Sequence, residues 1–280
     1  MIVRDDSGTE VQRYAIDPKA ESVTWSGIDD DGNPFPEGNY TFVGMNCKRA
    51  PFDDINLRRA VAWALDRETI VQQAYFGRAK KAYTPISPPM TSFYDPDIAT
   101  SGRGQWFDLE KAKAFRAKAA NQGEIEATYV MAERGPVGTR IAQTVAPMLA
   151  QIGIKAKLEL VEPATWLKRR NESDFDLYDF EWVADLDPDE TIYPEFRSDG
   201  AWNFGGWVNT EFDELCAQAQ VVLDVEERRP LYYKAEDLLM DEAGIAIMAH
   251  MPIYKVFSNK VQGFEYIPAD LVNLHTVSLA

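Results

Sequence analysis

The sequence predicts an α/β fold preceded by a short all-β segment. Short alternating stretches separated by turn residues fill the first 43 positions, and helical periodicity begins near Pro51. From there, amphipathic helices alternate with apolar strands almost to the end of the chain. We therefore divide the 280 residues into a β segment, 1–43, and an α/β domain, 44–280.

Four strands are predicted in the β segment: Ile2–Arg4, Glu10–Ile16, Ser22–Trp25 and Asn39–Val43. Four short strands are too few to enclose a core between two sheets, so the segment is expected to be an incomplete domain. Its acidic run, 29–33, does not fit a calcium-binding EF-hand loop, because Pro34 and Tyr40 stand where glycine and glutamate are required. We interpret the run as a turn.

The α/β domain begins with two helices, the second capped by Asp66 and ended near Gly77. Asp108 caps a third helix, and Asp224 caps a late one. The other predicted elements, in chain order, are a strand 124–132, a helix 139–152 in which Pro147 is expected to kink or interrupt the hydrogen-bond ladder, a strand 155–161, a helix 164–170, a strand 175–184, a helix 210–223 capped by Thr210, and strands 245–257 and 261–267.

Composition excludes several classes of function. The net charge of −16 disfavours nucleic acid as a partner, because most of the surface repels a polyanion. The apolar runs are far shorter than the roughly 18 residues that a membrane span needs. No signal peptide follows Met1 in this chain, so the sequence alone leaves open a cytoplasmic protein or one that has lost its leader.

No motif for catalysis, metal binding or a cofactor is present. The two histidines, His250 and His275, have no partner at zinc-ligand spacing, and His250 is expected to be a core residue. A nucleophile elbow, a phosphate-binding loop and a metalloprotease helix motif are all absent. We expect no enzyme activity and no cofactor. For Cys47 and Cys216 the sequence favours two buried free thiols and leaves a disulfide open.

Several motifs in one order carry a family resemblance. They are Gly44-x-Asn46, Pro51-Phe-Asp-Asp54, Ala64-Leu-Asp-Arg-Glu68, Ala184-Asp-Leu-Asp-Pro188 and Phe212-Asp-Glu-Leu215. Together they resemble the peptide/nickel class, family 5, of ABC-transporter solute-binding proteins. Residues 44–280 resemble the C-terminal lobe of that class, so the N-terminal lobe is expected to be absent from this chain.

The resemblance implies a periplasmic-binding-protein-like fold of class II, in which two lobes close over a solute. It implies extracytoplasmic capture of a peptide in the periplasm or at the cell surface, with delivery to an ABC permease. Nickel or another non-peptide solute remains an alternative within the class. Because one lobe would leave its apolar cleft face uncovered, self-association is also expected.

The first 43 residues show a second resemblance. The pattern around Asp5-Asp-Ser-Gly8, Trp25-Ser-Gly27 and Gly38-Asn-Tyr-Thr-Phe42 is similar to the Ig-like part of flagellar hook-capping proteins. It implies an alternative function as a structural or interaction protein of hook assembly.

Five residues are candidates for ligand binding. Asp185 matches the aspartate that the solute-binding family uses for a peptide's α-ammonium group, and charge-assisted hydrogen bonds suit that role. Arg134 falls in the loop where some relatives carry an arginine for the ligand carboxylate, but the loop matches loosely and the sequence favours a surface arginine over a binding one. Trp182, Trp202 and Phe204 are candidates for an apolar pocket wall or, alternatively, for core packing. Asp187 and Asp189 are expected to be turn residues.

Overall fold

The computed structural model describes residues 2–4, 10–13, 24–25, 38–133, 136–183, 187–251, 256–257, 260–264 and 274–279. The chain divides into two units, residues 1–36 with 252–280 and residues 37–251. The boundary that the sequence predicts, between residues 43 and 44, lies inside a strand of the second unit.

The first unit contains three antiparallel pairs of strands among the described residues. β1 (Ile2–Arg4) pairs with β2 (Glu10–Arg13), and β3 (Thr24–Trp25) pairs with β10 (Val256–Phe257). The third pair joins β11 (Val261–Gln262) to β12 (Ser278–Leu279). The pairing of β3 with β10 joins the two ends of the chain, which the sequence analysis treats as parts of different domains.

The second unit is built on one mixed sheet of six strands. Their order across the sheet is β5 (Lys80–Lys81), β9 (Ile245–Met251), β4 (Asn39–Met45), β8 (Leu177–Trp182), β6 (Ile125–Ala132) and β7 (Ile154–Val161). β4 is antiparallel to both β8 and β9, whereas β6 is parallel to β7 and β8. The carboxyl ends of β6, β8 and β9 therefore meet the amino end of β4 at one edge, called here the site edge.

Nine helices are described along the chain. They are α1 (Ile55–Ala64), α2 (Arg67–Tyr75), α3 (Ile98–Ser101), α4 (Leu109–Arg116), α5 (Pro136–Ala150), α6 (Pro163–Asn171), α7 (Pro188–Phe196), α8 (Thr210–Val221) and α9 (Val225–Asp241). The predicted α/β fold is confirmed, because helices pack on a mixed sheet in the order that the sequence indicates.

The sheet buries a different kind of core on each side. On the side called here the aliphatic face, strand side chains such as Val43 and Met131 pack mainly against α1, α2 and α5, which contribute Leu57, Val71 and Leu149. On the other side, the aromatic face, ring side chains of β4 and β8 pack against α6 to α9. The alternation of β4 produces this division, since successive side chains point to opposite faces of a strand.

The motifs at the start of the domain hold β4 and α1 in place. A Cβ atom at Gly44 would overlap the ring of Tyr178 on the neighbouring strand, so only glycine fits there. Asn46 donates side-chain hydrogen bonds to the carbonyls of Ser173 and Phe175, both at 3.0 Å. Asp54 caps α1 by accepting from the Asn56 amide at 2.8 Å. These contacts give the Gly-x-Asn and Pro-Phe-Asp-Asp motifs a structural role.

The predicted helix caps are confirmed at three aspartates and corrected at one threonine. Asp66, Asp108 and Asp224 each accept hydrogen bonds from first-turn amides of α2, α4 and α9. Thr210 is not a cap: Asn209 takes that place in α8, and its side chain accepts from the Phe212 amide at 3.0 Å. Both residue types suit the position, so the sequence alone did not distinguish them.

α5 continues from Pro136 to Ala150 with Pro147 inside it, so the proline does not end the helix, although it lacks the N–H that the hydrogen-bond ladder uses at that position. One further prediction needs correction. The predicted strand 245–257 is described as two separate strands, β9 and β10, which belong to different sheets. The apolar sequence of 245–257 does not indicate that it is divided between two sheets. The predicted turn at 29–33 lies outside the described residues.

Candidate functional site

β8 is the element that organises the site edge. Its side chains alternate, so Tyr178, Phe180 and Trp182 share the aromatic face while Leu177, Asp179 and Glu181 share the opposite one. The strand lies between β4 and β6, with Trp182 opposite Tyr40 in register. One strand therefore supplies a ring surface on one side and two carboxylates on the other.

The structure brings three of the five candidate residues together. Trp182 and Trp202 meet edge to face with ring centroids 5.5 Å apart, and Trp202 meets Phe204 at 5.7 Å. All three rings surround Phe180, at centroid distances of 6.2 to 6.5 Å. Such geometry adds to the stabilisation from burial. Trp182, Trp202 and Phe204, called here the aromatic cluster, thus form one surface.

The aromatic cluster is anchored on its inner side and exposed on its outer side. Phe180 packs against Phe42 at 5.8 Å and is stacked on Trp166 at the same distance. Trp202 keeps 40% of its surface exposed, and Trp182 and Phe204 are half-buried. The cluster therefore joins the core to the surface, so core packing and a pocket wall are both compatible with its position.

Arg170 of α6 lies against the same rings. Its guanidinium carbon is 3.9 Å from the ring centroid of Phe204, 4.9 Å from that of Trp166 and 5.1 Å from that of Trp202. A guanidinium over ring faces is attracted by their negative quadrupole. Arg170 therefore holds α6 to the aromatic cluster, a role that the sequence analysis did not identify.

A short helix follows the site edge where the sequence predicts a turn. Asp187 caps α7 by accepting from the Asp189 amide at 2.9 Å, and Asp189 lies in the first turn of that helix. The Asp187 carboxylate also pairs with both terminal nitrogens of Arg228, at 2.6 and 2.8 Å. The expectation that these two aspartates are turn residues is therefore wrong: one caps a helix and the other lies within it.

Arg134 and Asp185 lie outside the described residues, so their proposed roles stay predictions. The described strands that precede them are β6, ending at Ala132, and β8, ending at Trp182. These strands are adjacent and parallel, so both end at the site edge.

A cavity of about 70 Å³ opens at the site edge on the side opposite the aromatic cluster. Asp179 and Glu181 of β8 and Thr41 of β4 supply its polar lining. The rest of the lining consists of Gly138 and six apolar residues: Ala132, Val137, Ile141, Phe180, Met248 and Met251. The sequence analysis missed this cavity; its signal was the alternation of carboxylates with aromatic rings along 178–182.

Hydrogen bonds connect the cavity to the sheet. Asn39 donates from Nδ2 to Glu181 Oε1 at 2.9 Å, and the hydroxyls of Thr41 and Tyr75 are 2.8 Å apart. Burial raises the pKa of the Tyr75 hydroxyl, and the nearby carboxylates of Glu181 and Asp179 raise it further. The tyrosine therefore stays neutral beside the cavity, and its hydroxyl remains a hydrogen-bond partner of Thr41.

Both cysteines are free thiols, as the sequence favours. Cys216 is buried and Cys47 is half-buried, and burial raises their pKa values to about 12 and about 11. His250 is buried as predicted, and burial lowers its pKa to about 3. These three groups are therefore neutral near pH 7.

Comparison with known proteins defines the class. The family model described as "Bacterial extracellular solute-binding proteins, family 5 Middle" matches residues 8–204. The chain belongs to this family, which confirms the resemblance to solute-binding proteins. The predicted fold of that class is also confirmed, because periplasmic binding proteins match the structure along most of its length.

The individual relatives are solute-binding proteins with known kinds of ligand. Heme-binding protein A of Haemophilus influenzae is 27% identical over 92% of this chain and 46% of its own length. The dipeptide-binding protein of Escherichia coli K12 is 26% identical over 87% of this chain and 46% of its own length. The chain spans about half the length of these curated relatives.

Among solved structures, the periplasmic binding protein DppA from Helicobacter pylori, in complex with the peptide STSA, has a TM-score of 0.80 and 24% identity. The match covers 93% of this chain and 49% of DppA. This similarity concerns the fold.

The resemblance of the first 43 residues to flagellar hook-capping proteins is not supported. The solute-binding family model already begins at residue 8, so it accounts for most of that segment. Short strands and Gly-Asn turns are common to many β structures, which explains the misleading similarity.

Within the described part of the chain, no helix is both long and apolar enough to cross a membrane. The same residues contain no group of three or more His, Cys, Asp or Glu side chains that could hold a metal ion.

Proposed function

We propose that this chain is part of an extracytoplasmic solute-binding protein of an ABC importer, which captures peptides and delivers them to the permease. Membership of family 5 and the peptide complex of the structurally similar DppA support a peptide as the solute. The chain takes part in transport as a binding protein and performs no chemical step.

The observation that carries the proposal is the aromatic cluster at the site edge. Trp202 is 40% exposed although it contacts two other rings, so an apolar surface faces outward beside the ends of β6 and β8. Rigid aromatic side chains provide a large contact area at low entropic cost. A surface of this kind accepts varied peptide side chains, since stacking and burial need no specific partner.

Asp185 and Arg134 complete the proposed site at the polar ends of the peptide. Asp185 would accept hydrogen bonds from the α-ammonium group, and Arg134 would bind the carboxylate with two nitrogens. Both follow strands that end at the site edge. The roles of Asp185 and Arg134 are inferred from the family motif alone. The role of the aromatic cluster is also supported by its ring contacts.

Thermal melting of the purified chain with a panel of di- and oligopeptides tests the proposal. A peptide at 100 times its dissociation constant stabilises the fold by about 2.7 kcal/mol, which gives a measurable rise in Tm. We expect a rise for the wild type, a smaller one for Trp202→Ala, and none for Asp185→Ala. No rise with any peptide, from a folded sample, would contradict a peptide-binding role.

Phe107→Ala is the matched control for Trp202→Ala, because Phe107 is a ring of similar exposure, 48% against 40%. Phe107 lies between α3 and α4, outside the aromatic cluster. The control should melt like the wild type in the presence of peptide. If both variants reduce the peptide-dependent rise equally, the effect is not specific to the aromatic cluster.

A non-peptide solute is the second candidate, because one relative at 27% identity is a heme-binding protein. Adding hemin and nickel to the same panel tests it, with an absorbance shift of hemin as a second readout. A rise in Tm with hemin alone would favour this candidate over the peptide.

Self-association through the apolar surface is a further proposal. Light scattering after size-exclusion chromatography tests it. A mass that rises with concentration for the wild type, and rises less for Trp202→Ala, is the expected result.

A further inference from the structure

We propose that the outer edge of β7 pairs with β7 of a second copy of this chain, so that two central sheets join into one across a two-fold axis. The strand Ile154–Val161 is the last of the described strands at its end of the sheet. Its outward side, called here the β7 edge, is separate from the aromatic cluster, so the proposal goes beyond solute binding. It rests on the free backbone of the strand, its exposed leucines and the order of its charges.

The backbone of β7 offers an unused set of hydrogen-bonding groups. The carbonyl of Val161 accepts from the Glu133 amide at 2.8 Å, so the odd-numbered residues of the strand direct their backbone groups toward β6. Because these groups alternate along a strand, the even-numbered residues direct theirs outward. Within the described ranges, the outward backbone groups of Ala156, Leu158 and Leu160 have no hydrogen-bond partner. A strand edge of this kind is a template for another strand.

Two exposed leucines lie on the same strand. Leu158 keeps 37% of its surface exposed and Leu160 keeps 47%, although both belong to the central sheet. Facing side chains of an antiparallel pair are about 5 Å apart, so a second β7 would cover these leucines. Pairing therefore removes apolar surface from water and also gives the outward backbone groups their partners.

The charges of β7 select one symmetric register. A two-fold axis at Leu158 places Lys157 opposite Glu159 of the second copy, at two equivalent positions. An axis at Lys157 would place two lysines opposite each other, and an axis at Glu159 would do the same with two carboxylates. Opposite charges on facing residues stabilise a strand pair, whereas like charges destabilise it. Only the axis at Leu158 therefore sets opposite charges face to face without a pair of like charges.

The backbone suits the same register. Leu158 directs its N–H and C=O groups outward, so two copies of it form a hydrogen-bonded pair on the axis. Lys157 and Glu159 then form a non-hydrogen-bonded pair, in which the side chains are closer. The Lys157 side chain is 73% exposed and reaches Glu159 of its own strand at 2.7 Å, so its ammonium group is already positioned near a carboxylate at this edge.

Pairing at the β7 edge stops at two copies. The strand at the other end of the described sheet, β5 (Lys80–Lys81), has only two residues, both basic, and is too short to continue the sheet. β7 carries Lys155 and Lys157 against Glu159, so it is not negative although the whole chain has a net charge of −16. One strand pair is a small interface, so we expect the dimer to dissociate on dilution.

Sedimentation velocity of the full chain without peptide, at concentrations up to about 1 mM, tests the proposal. We expect a mass that rises from 31.6 kDa toward twice that value. Lys157→Glu should weaken the dimer about tenfold, because it sets carboxylates opposite each other. Lys113→Glu, the same charge change on α4, is the matched control and should dimerise like the wild type. A wild type that stays at 31.6 kDa at every concentration overturns the proposal.

A mixture of two variants guards against a loss that comes from misfolding. Glu159→Lys sets lysines opposite each other, so it should dimerise as poorly alone as Lys157→Glu does. Mixed in equal amounts, the two variants have opposite charges at both facing positions and should form a heterodimer. Misfolded chains cannot produce this gain. A mixture that stays monomeric, although circular dichroism shows both variants folded, contradicts the proposal.

Cross-linking tests the register. Leu158→Cys should form a disulfide between two copies, because facing residues of a hydrogen-bonded antiparallel pair have Cα atoms about 5.5 Å apart. Leu160→Cys is the control, since the same register keeps its two introduced thiols four residues, or roughly 13 Å, apart. The wild type measures the background from Cys47 and Cys216. A cross-link through Leu160→Cys and none through Leu158→Cys would overturn the proposed register.

The cross-link also separates the β7 edge from association through the aromatic cluster. Adding Trp202→Ala to Leu158→Cys should leave the yield of disulfide unchanged. A cross-link that is lost in this double variant would assign the contact to the aromatic cluster and overturn the proposal. None of these measurements uses peptide, so failure of the proposed solute-binding function would leave the dimer standing.

Discussion

The two faces of the central sheet are built differently. The aliphatic face is covered by α1, α2 and α5, and most of its buried side chains are aliphatic. The aromatic face is a chain of ring contacts from Tyr40 and Phe42 through Phe180 to Trp202, where it reaches solvent. The difference indicates that the aromatic face combines core packing with an apolar surface that is open to solvent.

Each face also contains a buried arginine, and the two are held in different ways. Arg67 of α2 is 2% exposed and donates to the carbonyls of Leu65 and Ala82 at 3.0 and 3.1 Å. Burial lowers its pKa to about 10. Arg170, 8% exposed, lies against three aromatic rings and also donates to Asn171 Oδ1 at 3.2 Å. Arg67 therefore links backbone carbonyls through directed hydrogen bonds, whereas Arg170 also contacts the faces of aromatic side chains.

Truncating one core residue on each face gives the largest expected effect. Phe180→Ala should lower the free energy of unfolding by about 3–5 kcal/mol, and Leu149→Ala by about 2–5 kcal/mol, through lost burial and a cavity. Both side chains are almost fully buried. Only Phe180→Ala should also weaken peptide binding, because it alone supports the aromatic cluster. Urea unfolding and calorimetric titration measure the two quantities; equal losses of affinity would refute the division between the faces.

Replacing the two arginines sharpens the comparison. Arg67→Met should lower the free energy of unfolding by about 3 kcal/mol, because several buried carbonyls lose their donor. Arg170→Met should cost about 1–2 kcal/mol, since methionine retains part of the apolar contact with the rings. Urea unfolding at neutral pH provides both values, with Arg229→Met, a half-buried arginine of α9 outside both faces, as a control. A larger loss for Arg170→Met would reverse our ranking.

Two buried titratable groups should change the free energy of unfolding with pH by smaller amounts, and in opposite directions. Burial raises the pKa of Glu236 from 4.5 to about 7, so its stabilising contribution is present below pH 4.5 and is lost as pH rises to 7. Burial lowers the pKa of His250 from 6.5 to about 3, so its contribution is present above pH 6.5 and is lost as pH falls to 3. The two contributions oppose each other between pH 4.5 and 6.5.

Replacing one of the two groups allows the pH-dependent contribution of the other to be measured. As pH falls from 6.5 to 4.5, Glu236→Gln should become less stable and His250→Gln more stable, by about 2 kcal/mol in each direction. The wild type should change less than either variant. Urea unfolding at several pH values measures these slopes, and parallel slopes for the two variants would contradict the opposite signs.

Much of the architecture was predictable because it depends on local signals. Aspartates at positions 66, 108 and 224 stand directly before amphipathic stretches, and each one caps a helix. Helix α7 was missed because two prolines within 188–196 suggest a turn, whereas Pro188 occupies the first turn, where its missing N–H costs nothing. The candidate site was predictable in part: the rings at 182, 202 and 204 were identified from one strand and a nearby loop, and they do meet.

The sequence by itself determined the class of fold, three of the helix caps and the family, since periodicity, capping and ordered motifs are local along the chain. Only the tertiary structure decided which residues share a surface. Thr41, Asp179 and Met248 come from three strands far apart in sequence, and antiparallel pairing through β4 brings them to one cavity. Strand register sets such contacts, and register depends on partners that no local pattern specifies.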